Sequence, residues 1–241
     1  PMLHDLRSAF RSLAKSAGFT ATAIIVLALG IGASTAIFSV VHGVLLAPLR
    51  YADAHELVQI RSVHPEQGAS ALAPATFVDL AQQTQSFSAV AAQRYDYVNL
   101  TKVDAPTRLT GTQATADYFK LWGVAPLLGR TWNNDEARNG AVPVVVLSEG
   151  LWRSQLNARA DIVGETVMLD DVAHTVIGVM PASFNDPWGN AQLWRPIPSD
   201  GTEATNRAAR FWSGFGRLRD GVSPEQANAE LATLAQRLQA A

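Results

Sequence analysis

The side chains able to do chemistry in this 241-residue chain are few and scattered. No two of the histidines, His4, His42, His55, His64 and His174, have the spacing that sets two metal ligands on one helix face. The lysines are Lys15, Lys102 and Lys120, and none follows a glycine-rich loop, so nothing here resembles a phosphate-cradling Walker sequence. Ser148 lies in L-S-E-G-L, not in the G-x-S-x-G turn that exposes a nucleophile, and its place before a helical segment suits capping. Asp170 and Asp171 are adjacent carboxylates, but neighbours on a strand point to opposite faces, which suits a solvated turn better than shared acid and base work. The absence of cysteine excludes disulfides, thiolate-held zinc and iron–sulfur clusters together. Trp122, Trp132, Trp152, Trp188, Trp194 and Trp212 read as core or interface, not as a ligand cage. Together these observations disfavour an enzyme and name no cofactor. A deep pocket lined by His174 and carboxylates, or a bound metal, would reopen that reading.

One stretch dominates what must position these groups. Residues 16–49 contain no Asp, Glu, Lys or Arg, and at ~1.5 Å per residue such a helix exceeds the ~30 Å hydrocarbon core of a bilayer. Apolar side chains surround it from Phe19 to Val41, and in lipid the backbone is satisfied only by closing helical hydrogen bonds. The stretch therefore reads as a transmembrane helix over 18–49. A soluble core helix would need a domain thick enough to bury it on all sides. A cleaved signal peptide normally has an apolar region of only ~7–15 residues ending at a small-residue cleavage site. Both rivals fit less well.

Within the span, Ala28, Gly32, Ala36, Ser39 and Gly43 recur every three or four residues and form a stripe of small side chains. Such a stripe lets helix backbones approach closely in lipid, so a partner helix is expected; an isolated span of the same composition is the alternative. His42, near the outer end, reads as an interfacial residue. Residues 1–17 read as a short amphipathic helix with Leu3, Leu6, Phe10 and Leu13 on one side and a basic face of Arg7, Arg11 and Lys15 on the other. Cations there meet anionic headgroups at ~1 kcal/mol each. Positive charge flanking a span sets its orientation, which places the N-terminus in the cytoplasm and residues 50–241 outside it. Acidic residues outnumber basic ones after Arg50, the formal net charge is -2, and no basic stripe points to nucleic acid.

Beyond Pro48 the pattern is that of a folded water-soluble domain. Residues 57–63 alternate as a strand, 76–83 form a helix with Phe77 and Leu80 inward, and 90–100 and 107–115 form strands joined by a turn at 104–106. The segment ADYFKLWGV reads as a short helix closed by Gly123. A buried strand follows at 142–147, then a Ser148-capped helix through Leu156, then a hairpin of 166–169 and 173–179 around Asp170 and Asp171. Residues 185–199, with Pro187, Trp188, Trp194, Pro196 and Pro198, read as irregular, and 211–218 as a strand. The last helix has Ser223 as cap, Pro224 at its first position and Gln226 completing a capping box, with Ala227, Leu231, Leu234 and Leu238 buried.

Taken together, these residues resemble the N-terminal part of MacB-like, FtsX-like ABC transporter permeases. The match runs through GFT at 18–20, LALGIGA at 27–33, TAIFSVV at 35–41 and VLLAPL at 44–49. It continues past the membrane through Asp117, Tyr118, Phe119 and Gly123, Gly129 and Arg130, VVVLSEGLW at 144–152 and Ile162-Val163-Gly164. VIGVMP at 176–181 with Phe184, Trp194 and Pro196, then Gly216-Arg217-Leu218, Gly221-Val222-Ser223 and Gln226-Ala227, complete it. At the hairpin the family often has glycine where this chain has Asp171, which puts the local turn type in doubt. The resemblance implies an α+β fold: one N-terminal transmembrane helix, then a mixed α/β extracytoplasmic domain with an inserted β-rich subdomain. It implies a porter-like layer from 50–104 and 211–241 with the insert at 105–210. Its implied partners are membrane lipid, an ATP-binding cassette ATPase and other permease helices in a dimeric assembly at the bacterial inner membrane. The family's later transmembrane helices have no counterpart in this sequence, so a fragment, or a subunit that receives them from another chain, is expected. A single-span anchored binding or sensor domain is the rival reading.

Overall fold

In a computed structural model, residues 15–41, 51, 53–64, 66, 68–102, 106–184, 189–198 and 200–240 are described. The chain divides into two compact units, 1–50 and 51–241. The first contains helix α1 (Ala17–Val41), whose 25 residues extend about 37 Å. Its Thr22 hydroxyl donates back to the Gly18 carbonyl (3.0 Å), which keeps a polar group off the apolar surface. Residues Gly18–Ser39 are long and apolar enough to cross a membrane, and none of that surface is buried. The expected amphipathic helix, except its last residues, and the expected outer end of the span at 42–49 lie outside the described residues.

The second unit begins with short strands β1 (Leu57–Ile60), β2 (Ser62–His64) and β3 (Gly68–Ser70) and helix α2 (Pro74–Gln83). Strand β4 (Phe87–Thr101), β5 (Thr107–Ala114), helix α3 (Tyr118–Trp122), β6 (Leu128–Gly129), β7 (Val144–Ser148) and helix α4 (Glu149–Gln155) follow. Then come β8 (Thr166–Leu169), β9 (Val172–Met180), β10 (Leu193–Pro196), β11 (Ser213–Leu218) and helix α5 (Pro224–Ala240). The expected strand at 57–63 is split. After Ile60 the chain leaves its partner β11, Arg61 donates to the Ala69 carbonyl (2.9 Å), and β2 pairs with β3 in a separate hairpin.

Strand β4 is long enough to serve two structures. Its first half pairs with β11, which pairs with β1, and helices α2 and α5 cover this layer. Ile60, Leu72, Phe77, Leu80, Trp212 and Leu234 form its core, with the Phe77 and Trp212 rings edge to face at 5.6 Å. The expected strand at 211–218 starts only at Ser213, because the Phe211 and Trp212 amides both turn to the Leu72 carbonyl. Helix α5 starts as its sequence dictates: the Ser223 amide donates to Gln226 Oε1 (2.8 Å) and the Gln226 amide to Ser223 Oγ (3.3 Å). One turn further, Glu230 accepts from Thr84 Oγ1 and the Gln85 and Ser86 amides at 2.7–3.0 Å, tying α5 to the loop that ends α2. Burial opposes ionisation of Glu230, but these hydrogen bonds outweigh it and hold the carboxyl below its usual range. Glu230 therefore stabilises the fold above the unfolded carboxylate pKa of about 4.3, and that contribution fades as pH falls through the lower folded value. Glu230→Gln should cost about 1.5–3 kcal/mol at pH 7 and flatten the acid limb of a pH–stability profile; an unchanged profile would refute the lock.

The second half of β4 belongs to a barrel. Pairings run β4–β5, β5–β10, β10–β7, β7–β9, β9–β8 and back from β8 to β4, where Leu100 faces Leu169 and Thr101 faces Met168. Six strands thus close on themselves. Val98, Leu100, Leu109, Val145, Leu147, Val167, Leu169, Val176 and Leu193 fill the interior, as the side chains of a small barrel must. Strand β10 corrects the expectation of irregular chain at 185–199. Four residues ending in proline show no readable period, yet they lie between β5 and β7 with Trp194 fully buried. The expected run at 142–147 also starts late, at Val144, and Val142 is 74% exposed. Ser148 caps α4 by accepting from the Leu151 amide (3.1 Å).

Against the barrel's outer wall, Phe119 packs on Trp132, Phe184 and Trp194 with centroids 4.7–5.9 Å apart. The tryptophans read as core are buried at 122, 132, 152, 194 and 212, and Trp188 lies outside the described residues. The hairpin turn is a tight one in which Asp170 and Asp171 both take left-handed backbone angles (φ 49° and 61°) without a glycine. Asp170 is also more than a solvated turn residue. Its carboxylate accepts from the Asn99 amide (2.9 Å) and Nδ2 (2.8 Å), pinning the seam where β8 joins β4.

Candidate functional site

The alternation that turns every second residue of a strand into the barrel continues to one of its ends. Beyond Val98 lies Asp96 on β4, beyond Leu109 and Gly111 lies Gln113 on β5, beyond Leu193 lies Arg195 on β10, and before Val176 lies His174 on β9. These four polar residues ring the mouth of an otherwise apolar barrel. Arg195 reaches Asp96 with Nε (2.8 Å) and Nη2 (2.6 Å), both on Oδ2, across the intervening strand β5. Both side chains are largely buried, at 17% and 11% exposure. Arg195 Nη1 stands 3.4 Å from His174 Nε2, and His174 Nδ1 lies 2.9 Å from the Val172 carbonyl.

This geometry keeps His174 neutral. Burial lowers its pKa, and the nearby Arg195 guanidinium adds to that, against the raising effects of the Val172 carbonyl, Asp96 and Asp170. A neutral ring with its proton on Nδ1, given to Val172, leaves the Nε2 lone pair facing Arg195.

Outside the ring a cleft of about 230 Å³ opens between the mouth and the 136–144 segment, walled by Val142, Pro143, Pro196 and Pro198. Glu136 and Arg138 line it as well. Glu136 is fully engaged: Arg130 gives it Nη1 and Nη2 at 2.7 and 2.8 Å and the Asn133 amide adds a third bond. The Arg130 bonds hold its carboxyl below the usual range. Gln113 Oε1 accepts from Arg94 Nε (3.0 Å) and Nη2 (2.6 Å), and Arg94 in turn meets Glu203 (2.7 Å). Among the described residues, no group of three or more His, Asp or Glu is arranged to hold a metal ion. His174 lines this pocket together with the carboxylate of Glu136, which is committed to Arg130.

The residues singled out on the membrane helix lie elsewhere. Ala28, Gly32, Ala36 and Ser39 are exposed along α1, with open space where a side chain would be added at Gly32. Lys15 is exposed, while Gly43, Arg7 and Arg11 lie outside the described residues. Of the mouth residues, only His174 stood out in sequence. Asp96, Gln113 and Arg195 sit on strands distant in the chain, and the one local signal is a polar residue two positions from an apolar inward one on each strand.

The fold and site define a class: an α+β domain with a small closed barrel, preceded by an apolar helix of membrane-spanning length. The chain belongs to the MacB-like periplasmic core domain family, which matches residues 20–234. Among curated relatives, the macrolide export ATP-binding/permease protein MacB of Salmonella typhi is 30% identical over 125 residues, 50% of this chain and 18% of that protein. The protein of the same name from Escherichia coli K12 is 27% identical over 122 residues, again 50% of this chain and 18% of the relative. The matched segment is thus less than a fifth of the curated relatives' length. Solved structures with the same fold include the periplasmic region of MacB from Actinobacillus actinomycetemcomitans, at 18% identity, with a TM-score of 0.55 over 76% of this chain and 82% of that one. A domain of a putative permease from Porphyromonas gingivalis gives a TM-score of 0.61 at 17% identity, covering 78% and 86%. The extracellular domain of the noncanonic ABC-type transporter YknZ from Gram-positive bacteria gives 0.52 at 15% identity, covering 76% and 93%.

Proposed function

We propose that this chain is a membrane-anchored fragment or subunit of an ABC-type permease, coupling a partner ATPase in the cytoplasm to an extracytoplasmic domain that handles a substrate or a partner protein. The observation that carries this reading is the extent of the family match, which begins inside α1 and runs to residue 234, within the last helix of the second unit. The apolar helix and the domain are therefore one inherited module. The basic face of Arg7, Arg11 and Lys15 would hold the N-terminus in the cytoplasm, and the stripe of Ala28, Gly32, Ala36, Ser39 and Gly43 would seat neighbouring permease helices. Residues 50–104 with 211–241 would form the porter-like layer and 105–210 the insert; the pairing of the first half of β4 with β11 supports that layer, while its second half runs on into the barrel. Export, the activity in the relatives' names, and mechanical transmission to an outside partner are both compatible with this arrangement.

Because the chain has no cysteine, single introduced cysteines report orientation cleanly. In intact cells a membrane-impermeant maleimide should label Asp220→Cys and spare Lys15→Cys; the reverse pattern would overturn the orientation. Purified from its native host with an affinity tag, the chain should bring down an ATP-binding cassette ATPase, and Gly32→Leu should reduce that recovery by filling the close-approach face. Recovery of a sensor kinase and no ATPase would sink the permease reading.

A further inference from the structure

The cleft at the barrel mouth is unusual in what its polar groups have left to offer. Of the carboxylates at the mouth, Glu136 has both oxygens on Arg130 and a third bond from the Asn133 amide, and Asp96 has its Oδ2 on Arg195. Gln113, which lines the cleft, has its oxygen on Arg94, and its Nε2 amide has no hydrogen bond among the described residues. Arg138 has one long side-chain contact, Nε to Asp135 Oδ1 at 3.4 Å, and neither terminal nitrogen has a partner among the described residues. Arg195 is held by Asp96, and its Nη1 meets His174 Nε2 at 3.4 Å, which fixes the guanidinium at the mouth. Two guanidinium groups and an amide on one cleft favour an acceptor-only group, and a carboxylate, with two oxygens matched to a guanidinium fork, is the commonest such group.

The walls supply the other half of the recognition. Val142 stands 74% exposed at the rim beside Pro143, Pro196 and Pro198, an apolar lip that does nothing for the core. The volume of about 230 Å³ falls below the ~300–1,000 Å³ of drug-sized sites, so the occupant is about the size of one amino-acid residue. We propose that the barrel mouth binds a small carboxylate with a short apolar substituent, presented either by a free acid or by the C-terminus of a peptide. The site lies wholly within the second unit, so its test is independent of the permease reading.

The probes are isobutyrate, N-acetyl-Ala-Val as the free acid, and N-acetyl-Ala-Val-amide, titrated against the full chain in lipid nanodiscs. The readout is the side-chain amide signal of Gln113 in a ¹H–¹⁵N NMR spectrum. Both acids should shift that signal saturably and the amide should not. Arg138→Gln, at an exposed position that leaves the fold alone, should weaken binding about tenfold, and Val142→Asp should do the same by placing a negative charge at the lip. Tighter binding of the peptide acid assigns the site to a chain terminus, and equal or tighter binding of isobutyrate assigns it to a free acid. No saturable shift with either acid, an equal response to the amide, or wild-type affinity in both variants would overturn the proposal.

Discussion

Replacing Arg195 with methionine is expected to lower the stability of the chain by about 3–5 kcal/mol, the largest loss foreseen for any side chain at the barrel mouth. Methionine restores much of the volume, so the cost is electrostatic. Asp96, 11% exposed, would lose the guanidinium that supplies two of its hydrogen bonds and would stand as an uncompensated charge at the end of an apolar barrel. The pair itself is a different matter, because desolvating two ions offsets most of their attraction. The double variant Arg195→Met with Asp96→Asn should therefore recover most of the loss. Urea unfolding of the two variants and the wild type decides the point. If the single variant unfolds at the wild-type midpoint, or the double is worse than the single, the pair is not what closes the mouth.

This pair also marks where reading the sequence stops. Features fixed within a few residues were legible: the uncharged run that becomes α1, the Ser223 and Gln226 box that starts α5, the left-handed Gly123 that ends α3, and the serine that caps α4. Each depends on neighbours three or four positions away. Asp96 and Arg195 are 99 residues apart and meet only because β4, β5 and β10 are adjacent in one ring. The pairing order that closes the ring is not written in the period of any single strand, and β10, four residues long, has no period to read. The inward residues of the barrel could be guessed strand by strand from alternation. Which strands share an interior, and so which polar residues share a mouth, could not.

Glycine at 178 shows the same boundary from the other side, since a motif that looked like family resemblance has a steric reason. Gly178→Ala should destabilise the chain by about 3 kcal/mol, at the upper end of ordinary overpacking. In the β6–β9 pairing Gly129 faces Gly178, and the backbones approach so closely that a methyl on Gly178 would collide with the Arg130 carbonyl oxygen, and one on Gly129 with that of Ile177. Both obstacles are main chain and cannot swing away. Relief would have to come from parting β6 from β9, which also breaks the Leu127 and Arg130 amide bonds to Val179 and Ile177. Gly150 is the control. It lies within α4, where an added methyl would meet only Ser148 Oγ at an ordinary 3.8 Å, so Gly150→Ala should stabilise by about 0.5–1 kcal/mol through the reduced freedom of the unfolded chain. The two substitutions add the same methyl and should move the denaturation midpoint in opposite directions. If both move it the same way, the close approach of β6 to β9 is not what demands glycine at 178.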